Sequence, residues 1–297
     1  MNNDNNDKLD GVPPEISQGW GRDSDIDMNT VVGSHDILFI CLDTLRYDVA
    51  LAEQENGGTP TLNQFGDWER RSAAGNFTYP SHHAMFAGFL PTPISATPMT
   101  KRPMLFFPKG IGMGNASPPK SFAFEGATFI QGLEKVGYET ICIGGVSFFD
   151  NRSDIGKVFP AMFSQSHWHP RYGCGIKESP DFQIDKAIEA ISELTSENPD
   201  SRIMMYINIC AIHYPNYFYL TDYKKGQKDG LDSHAAALRY VDERLPRLFE
   251  AFRKRGNTFV IACSDHGSCY PEVDDGYLFH GFNHDTVNVV PYKHFFL

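Results

Sequence analysis

The chain has 297 residues, 41% hydrophobic and 13% aromatic, enough to bury a full core in an α/β domain of ordinary size. Its formal net charge of −11, from 26 Lys+Arg against 37 Asp+Glu and with no basic cluster, excludes a long groove for a nucleic acid polymer, which clustered Lys and Arg must hold. With no charged-then-apolar leader and no apolar run near the roughly 18 residues of a membrane span, the sequence reads as a cytoplasmic protein without a membrane partner.

Residues 1–33 are rich in Asn, Asp, Gly and Ser and lack apolar periodicity, so burial cannot offset the cost of ordering them, and a flexible tail is expected. Residues 34–297 are read as one globular domain. Short apolar, β-branched runs at 37–42, 140–143, 203–210, 258–263 and 287–292 predict strands, and their near-continuous apolarity suits a parallel sheet covered on both faces. Residues 91–123, rich in Pro and Gly, read as a long surface excursion able to rim a site.

Two helices are legible between the strands. Ser179 and Pro180 give an N-cap and first-turn proline, after which Ile184, Ala187, Ile188, Ile191 and Leu194 share a face. A second carries Leu238, Val241, Leu245, Leu248 and Phe252 at helical spacing, is kinked or restarted at Pro246, and ends at Gly256. This alternation predicts an α/β fold, a doubly wound and mostly parallel sheet flanked by helices. Ligands of such sheets sit beyond the carboxyl ends of the strands. Asp43 follows the first strand directly, His213 comes three residues after Cys210, and Asp265 and His266 come two and three after Cys263. Cys41, Cys142, Cys210 and Cys263 lie in apolar runs and act as small hydrophobes, so no disulfide is expected.

Taken alone, Asp43 is equally a helix N-cap, and a structural salt bridge would also explain Asp265 beside His266. A carboxylate and an imidazole leaving one buried strand together are nonetheless good divalent-cation ligands. An acidic protein that binds an anionic ester needs local positive charge, and bound cations supply it.

The residues together resemble the alkaline-phosphatase/sulfatase superfamily from Asp36 to Pro291. Asp43-Thr44-Leu45-Arg46 followed by Gly58-Thr59-Pro60-Thr61-Leu62 resembles the sulfatase-type D-x-x-R and T-P-N-L patterns. Thr78-Tyr79-Pro80-Ser81-His82, with Met85-Phe86-Ala87-Gly88 behind it, resembles the C-x-P-S-R segment and its trailing glycine. Gly137-Tyr138-Glu139-Thr140, Tyr240-Val241-Asp242, Ser264-Asp265-His266-Gly267, Tyr277-Leu278-Phe279-His280-Gly281 and Val290-Pro291-Tyr292 follow in the family's order.

The resemblance implies that Asp43, Asp265 and His266 bind one metal, with Thr78 as its fourth ligand and the nucleophile. His213 and His280 would stand across the substrate, completing a second metal site or holding ester oxygens. Zinc suits these donors and manganese also fits, as one ion or two. Two departures matter. Sulfatases carry a Cys or Ser convertible to formylglycine and then an Arg, where this chain has Thr78 and His82, the pattern of phosphodiesterase and phosphotransferase branches. Pyrophosphatase-type relatives place an Asp four residues before the match to His213, and here that residue is Ile209, with Asn208 a poor substitute.

A threonine alcohol is un-ionised at neutral pH and needs activation. Metal coordination can lower the pKa of bound water from roughly 15.7 to about 7, worth about 12 kcal/mol, whereas a general base supplies roughly 3–5 kcal/mol. The expected activity is therefore metal-dependent hydrolysis or transfer of a small-molecule phosphate ester through Thr78. The alternatives are a sulfate-ester hydrolase without formylglycine and a non-catalytic metal-binding partner protein of the same fold. Thr78 could instead cap a helix starting near Pro80, with Ser81 as nucleophile. Asn76 is either a substrate donor or a turn residue. Arg46 and Asp48 are expected to pair structurally; His82, His83, His167 and His169 receive no role.

Overall fold

A computed structural model describes residues 26–89, 104–106, 121–123, 126–270 and 279–297. The first 25 residues of the expected tail, most of the 91–123 excursion, and Tyr277 and Leu278 lie outside them. The short helix α1, Met28–Val31, falls within the stretch assigned to the tail, and Asp27 caps it through its side chain while Val31 is buried.

In chain order the elements that follow are β1 (Asp36–Leu42), α2 (Tyr47–Glu55), β2 (Glu69–Ser72), α3 (Thr78–Ala87), β3 (Met104–Phe106), β4 (Ser121–Ala123), α4 (Phe129–Lys135), β5 (Tyr138–Ile143) and β6 (Gln165–His167). They continue with α5 (Ser179–Glu197), β7 (Arg202–Ile209), α6 (Leu231–Asp242), α7 (Leu245–Arg255), β8 (Thr258–Cys263), α8 (Asp285–Asn288) and β9 (Val289–Phe296). Seven strands form one sheet in the order β2-β9-β8-β1-β7-β5-β6, while β3 and β4 pair separately. All neighbours in the large sheet are parallel except β9, which runs antiparallel to both β8 and β2. The mostly parallel α/β fold read from the sequence is the observed one.

Successive strand residues face opposite sides of the sheet, and two cores follow. Leu38, Ile40 and Leu42 of β1, with Ile203, Met205, Ile207 and Ile209 of β7, face the layer of α5, α6 and α7. Ile37, Phe39 and Cys41, with Met204 and Tyr206, face α3 and α4. The same alternation puts Asn208 on the α3 side at the last turn of β7. Among the described residues, no helix is long and apolar enough to cross a membrane.

Local chemistry shifts several expected boundaries. Glu178, not Ser179, is the cap residue of α5, and Ser179 is buried inside the helix. Pro246 does restart the helix: it lacks an N–H, so α6 stops at Asp242 and α7 begins with the proline in its first turn. Residues 287 and 288 are helical rather than extended, because the His284 side chain accepts the Thr286 N–H and caps α8. All six cysteines are free thiols, as expected.

At the amino end of β1, opposite the strand exits, Asp36 accepts the Ile203 N–H at 2.9 Å and the Arg255 Nε–H at 2.8 Å. Both side chains are buried, at 5% exposure for Arg255 and 1% for Asp36. Asp36→Ala leaves the buried Arg255 guanidinium without its counter-charge, though still bonded to Thr195 Oγ1 and Ser201 O, and leaves a strand N–H unpaired, so urea unfolding should show a loss of about 3 kcal/mol.

Candidate metal and nucleophile centre

Each residue of the centre leaves the sheet at the same edge. Asp43 follows β1 and is held by its own N–H to Ile209 O at 3.0 Å. The next residue, Thr44, has a left-handed φ of 66°, an uncommon conformation for a non-glycine, and is fully buried. That turn aims the Thr44 N–H at Asp265 Oδ1, 3.1 Å away, so the two strand exits are laced together. Asn208 Nδ2–H donates to Asp43 Oδ2 at 2.9 Å, and the His266 N–H donates to Asp265 Oδ1 at 2.9 Å.

One oxygen of each carboxylate is thereby satisfied and the other is not. Asp43 Oδ1 and Asp265 Oδ2 are buried acceptors without a hydrogen-bond partner. His266 faces them. Its Nδ1–H donates to Gly267 O at 3.0 Å, which turns the Nε2 lone pair into the cluster, within reach of the Thr78 hydroxyl and 3.4 Å from Asp265 Oδ2 and 4.0 Å from Asp43 Oδ1. The ligating atoms of Asp43, Asp265 and His266 all lie within 4.8 Å of one another. Two anionic oxygens and an imidazole lone pair turned inward, with no protein donor for the oxygens, fit a divalent cation. Gly267 allows the backbone to close behind them: a Cβ there would lie 1.9 Å from Thr286 O.

Thr78 is the first residue of α3 and is 3% exposed, and its Oγ1 lies 3.4 Å from His266 Nε2. Phe77 occupies the cap position, so Thr78 is not the helix cap, and its hydroxyl faces the cluster instead. Ser81 is fully buried, with its Oγ unpartnered. A second group adjoins the first. His280 Nε2 lies 3.2 Å from His213 Nε2, and the His266 and His280 rings are 4.5 Å apart. Gly281 N–H donates to Asn76 O at 2.7 Å, tying the His280 loop to the segment before Thr78. Asn76 is 5% exposed with a free Oδ1, and its Nδ2 only grazes Asn283 Oδ1 at 3.5 Å.

The electrostatics match this geometry. Burial, reinforced at Asp43 by the charge of Asp265, pushes both carboxyls up to about 7. Burial holds the His266 imidazole down to about 4 and His280 to about 2. Burial opposes protonation of His213 too, but the charge and hydrogen bond of Cys174 and the charge of Asp43 outweigh it and raise His213 to about 10.

All six residues expected at the centre converge, and Asn76 sits beside them. Arg46 and Asp48 form the expected ion pair at 2.6 Å, and Arg46 also reaches Ser268 O at 3.2 Å. Among the described residues, His213 and His280 gain no third close-set ligand. Asn208, judged a poor stand-in for a second carboxylate, supports Asp43 instead; its shared parity with Met204 and Tyr206 carries that signal. Cys174 beside His213 has no sequence signal, because its loop comes from elsewhere in the chain.

A family model described as Sulfatase matches residues 35–288. No curated protein matches the chain in sequence. Among solved structures, the lipoteichoic acid synthase LtaP from Listeria monocytogenes is similar with a TM-score of 0.58 at 13% identity, covering 93% of this chain and 69% of that one. The soluble domain of lipooligosaccharide phosphoethanolamine transferase A from Neisseria meningitidis gives 0.56 at 14% identity over 89% and 77%. The C-terminal periplasmic domain of phosphoethanolamine transferase EptC from Campylobacter jejuni gives 0.53 at 13% over 88% and 78%. At identities this low the likeness shows the fold alone.

Proposed function

The chain belongs to the sulfatase family, and from that premise we propose that it is a metal-dependent phosphoric ester hydrolase or phosphotransferase that works through Thr78. The observation that carries this reading is the pair of unpartnered buried carboxylate oxygens, Asp43 Oδ1 and Asp265 Oδ2, in one cluster with His266, which itself adjoins the Thr78 hydroxyl. Asp43, Asp265, His266 and Thr78 would hold the cation, zinc or manganese. When bound, it supplies Lewis-acid stabilisation for an alkoxide and for charge on phosphoryl oxygens.

The chain's own groups account for the rest. Thr78, its hydroxyl proton already released to solvent, attacks phosphorus in line through Oγ1, forming a P–O bond to threonine as the bond to the leaving oxygen breaks, and it departs again as the alkoxide in the second step. His213, held protonated, gives a proton to that oxygen, and neutral His280 at 3.2 Å orients it. Water or an acceptor alcohol then displaces Thr78 and returns its proton to His213, which yields hydrolysis or transfer. Threonine at this position favours phosphate over sulfate, as the formylglycine route needs Cys or Ser.

An aryl phosphate ester should be turned over faster than the matching aryl sulfate, with activity lost to a chelator and restored by zinc or manganese. Turnover indifferent to chelation would overturn the metal's part. Full metal occupancy with no turnover across a broad ester panel would point to the binding-protein alternative.

A further inference from the structure

His82 lies one turn after Thr78 on α3 and is fully buried. Its two ring nitrogens are both engaged: Nδ1 is 2.7 Å from Thr78 O, and Nε2 bonds the hydroxyl of Tyr206 on β7. A backbone carbonyl only accepts, so Nδ1 must carry the hydrogen and Nε2 must accept from Tyr206. One tautomer satisfies both partners. The same Nδ1 lies 3.6 Å from Asp265 Oδ2, beyond hydrogen-bond length, and that oxygen has no hydrogen-bond partner.

We propose that His82 is a positioning residue of the metal centre, which ties the nucleophile's turn to β7 and sets a ring edge of fixed tautomer 3.6 Å from the free oxygen of Asp265. The proposal rests on the reading of Thr78 and Asp265 as parts of that centre. Phe86, Phe149 and Phe159 hold the ring, with centroids 5.7, 5.4 and 5.6 Å from it, so the imidazole cannot swing aside to seek other partners. Burial keeps the ring neutral by pulling its pKa down to about 3. Cys41, His82 and Asp265 form a second close-set group of ligating atoms. It does not read as another cation site: both ring nitrogens are occupied, and the Cys41 thiol, hydrogen-bonded to Tyr206, is held protonated by burial. It is instead the polar back wall of the first site. Outer groups of this kind orient ligands and commonly govern metal affinity.

His82→Phe keeps the ring volume and removes both nitrogens. With zinc or manganese alone as titrant, calorimetry should show affinity falling by about 10–100-fold, with kcat reduced more than KM changes. His82→Asn, whose amide can replace the Nδ1–H toward Thr78 O, should restore most of the loss. A phenylalanine variant that melts like the parent with chelator present, yet binds the cation equally well, overturns the proposal. So does a 15N spectrum of the parent that places the His82 proton on Nε2. If the phenylalanine variant fails to fold, Tyr206→Phe serves: loss of its hydroxyl leaves Nε2 without its donor and unties the ring from β7, so cation binding should weaken, and unchanged binding overturns the proposal as well. Failure of the unsubstituted protein to bind any divalent cation would instead sink the reading of the centre itself.

Discussion

Thr78→Ala is expected to lower kcat/KM for a phosphate ester by about a thousandfold or more, without unfolding the protein. Removing a nucleophile costs roughly 10⁶ in kcat where it acts as one unit with its base, and residual binding leaves only a small part of the rate. The fold should tolerate the change. Thr78 is the first residue of α3, it does not cap the helix, and its hydroxyl is spent on the cluster rather than on secondary structure. Alanine is also the better helix former. Thr78→Ser keeps an alcohol at the same place and should retain most of the activity. Steady-state kinetics with matched melting curves provide the measurement. Undiminished turnover in the alanine variant would remove Thr78 from the mechanism and leave Ser81 to be tested in its place.

The second large effect is a stabilisation by metal that grows with pH. Asp43 and Asp265 are raised to about 7 in the folded chain, against about 4 when unfolded. Between those values the folded state holds protons that the unfolded state has released. Their contribution is therefore complete below about pH 4 and lost as pH rises through about 7. Each carboxylate is worth on the order of 4 kcal/mol at most across that shift, and less as a coupled pair. His213, raised to about 10, adds a loss of the same sign above about pH 6.5. Four buried neutral histidines act oppositely. His82, His234, His266 and His280 are depressed to about 3, 3, 4 and 2, so their contribution is lost as pH falls below about 6.5. The chelated protein should then be most stable near pH 6.5 and weaken toward pH 8. A bound cation compensates the two carboxylates and stabilises in proportion to its excess over Kd. Calorimetric melting with and without chelator should show a zinc-dependent rise in Tm that is small near pH 5.5 and large near pH 8. A rise that shrinks with pH would contradict the assignment of Asp43 and Asp265 as the charged ligands.

What could be read without coordinates was whatever is local in the chain. The strands at 37–42, 140–143, 203–210 and 258–263 stand out because a strand buried on both faces needs an unbroken apolar run, and Asp43, Asp265 and His266 stand out because polar residues follow such runs abruptly. Thr78 and His280 were legible through the spacing of a family motif, since nothing in their own surroundings marks an alcohol or an imidazole as reactive. The tertiary structure alone decided the rest. The edge strands β2 and β6 are half-buried and short, with no run to reveal them. The reversal of β9 depends on its partners, Phe259 to Cys263 on one side and Glu69 to Ser72 on the other, and direction leaves no trace in composition. Likewise Asn208 on Asp43, Cys174 on His213 and Tyr206 on His82 are meetings of groups far apart in the chain. A hydrogen bond depends on where two groups are placed in space, and only the packed sheet and its helices set that placement.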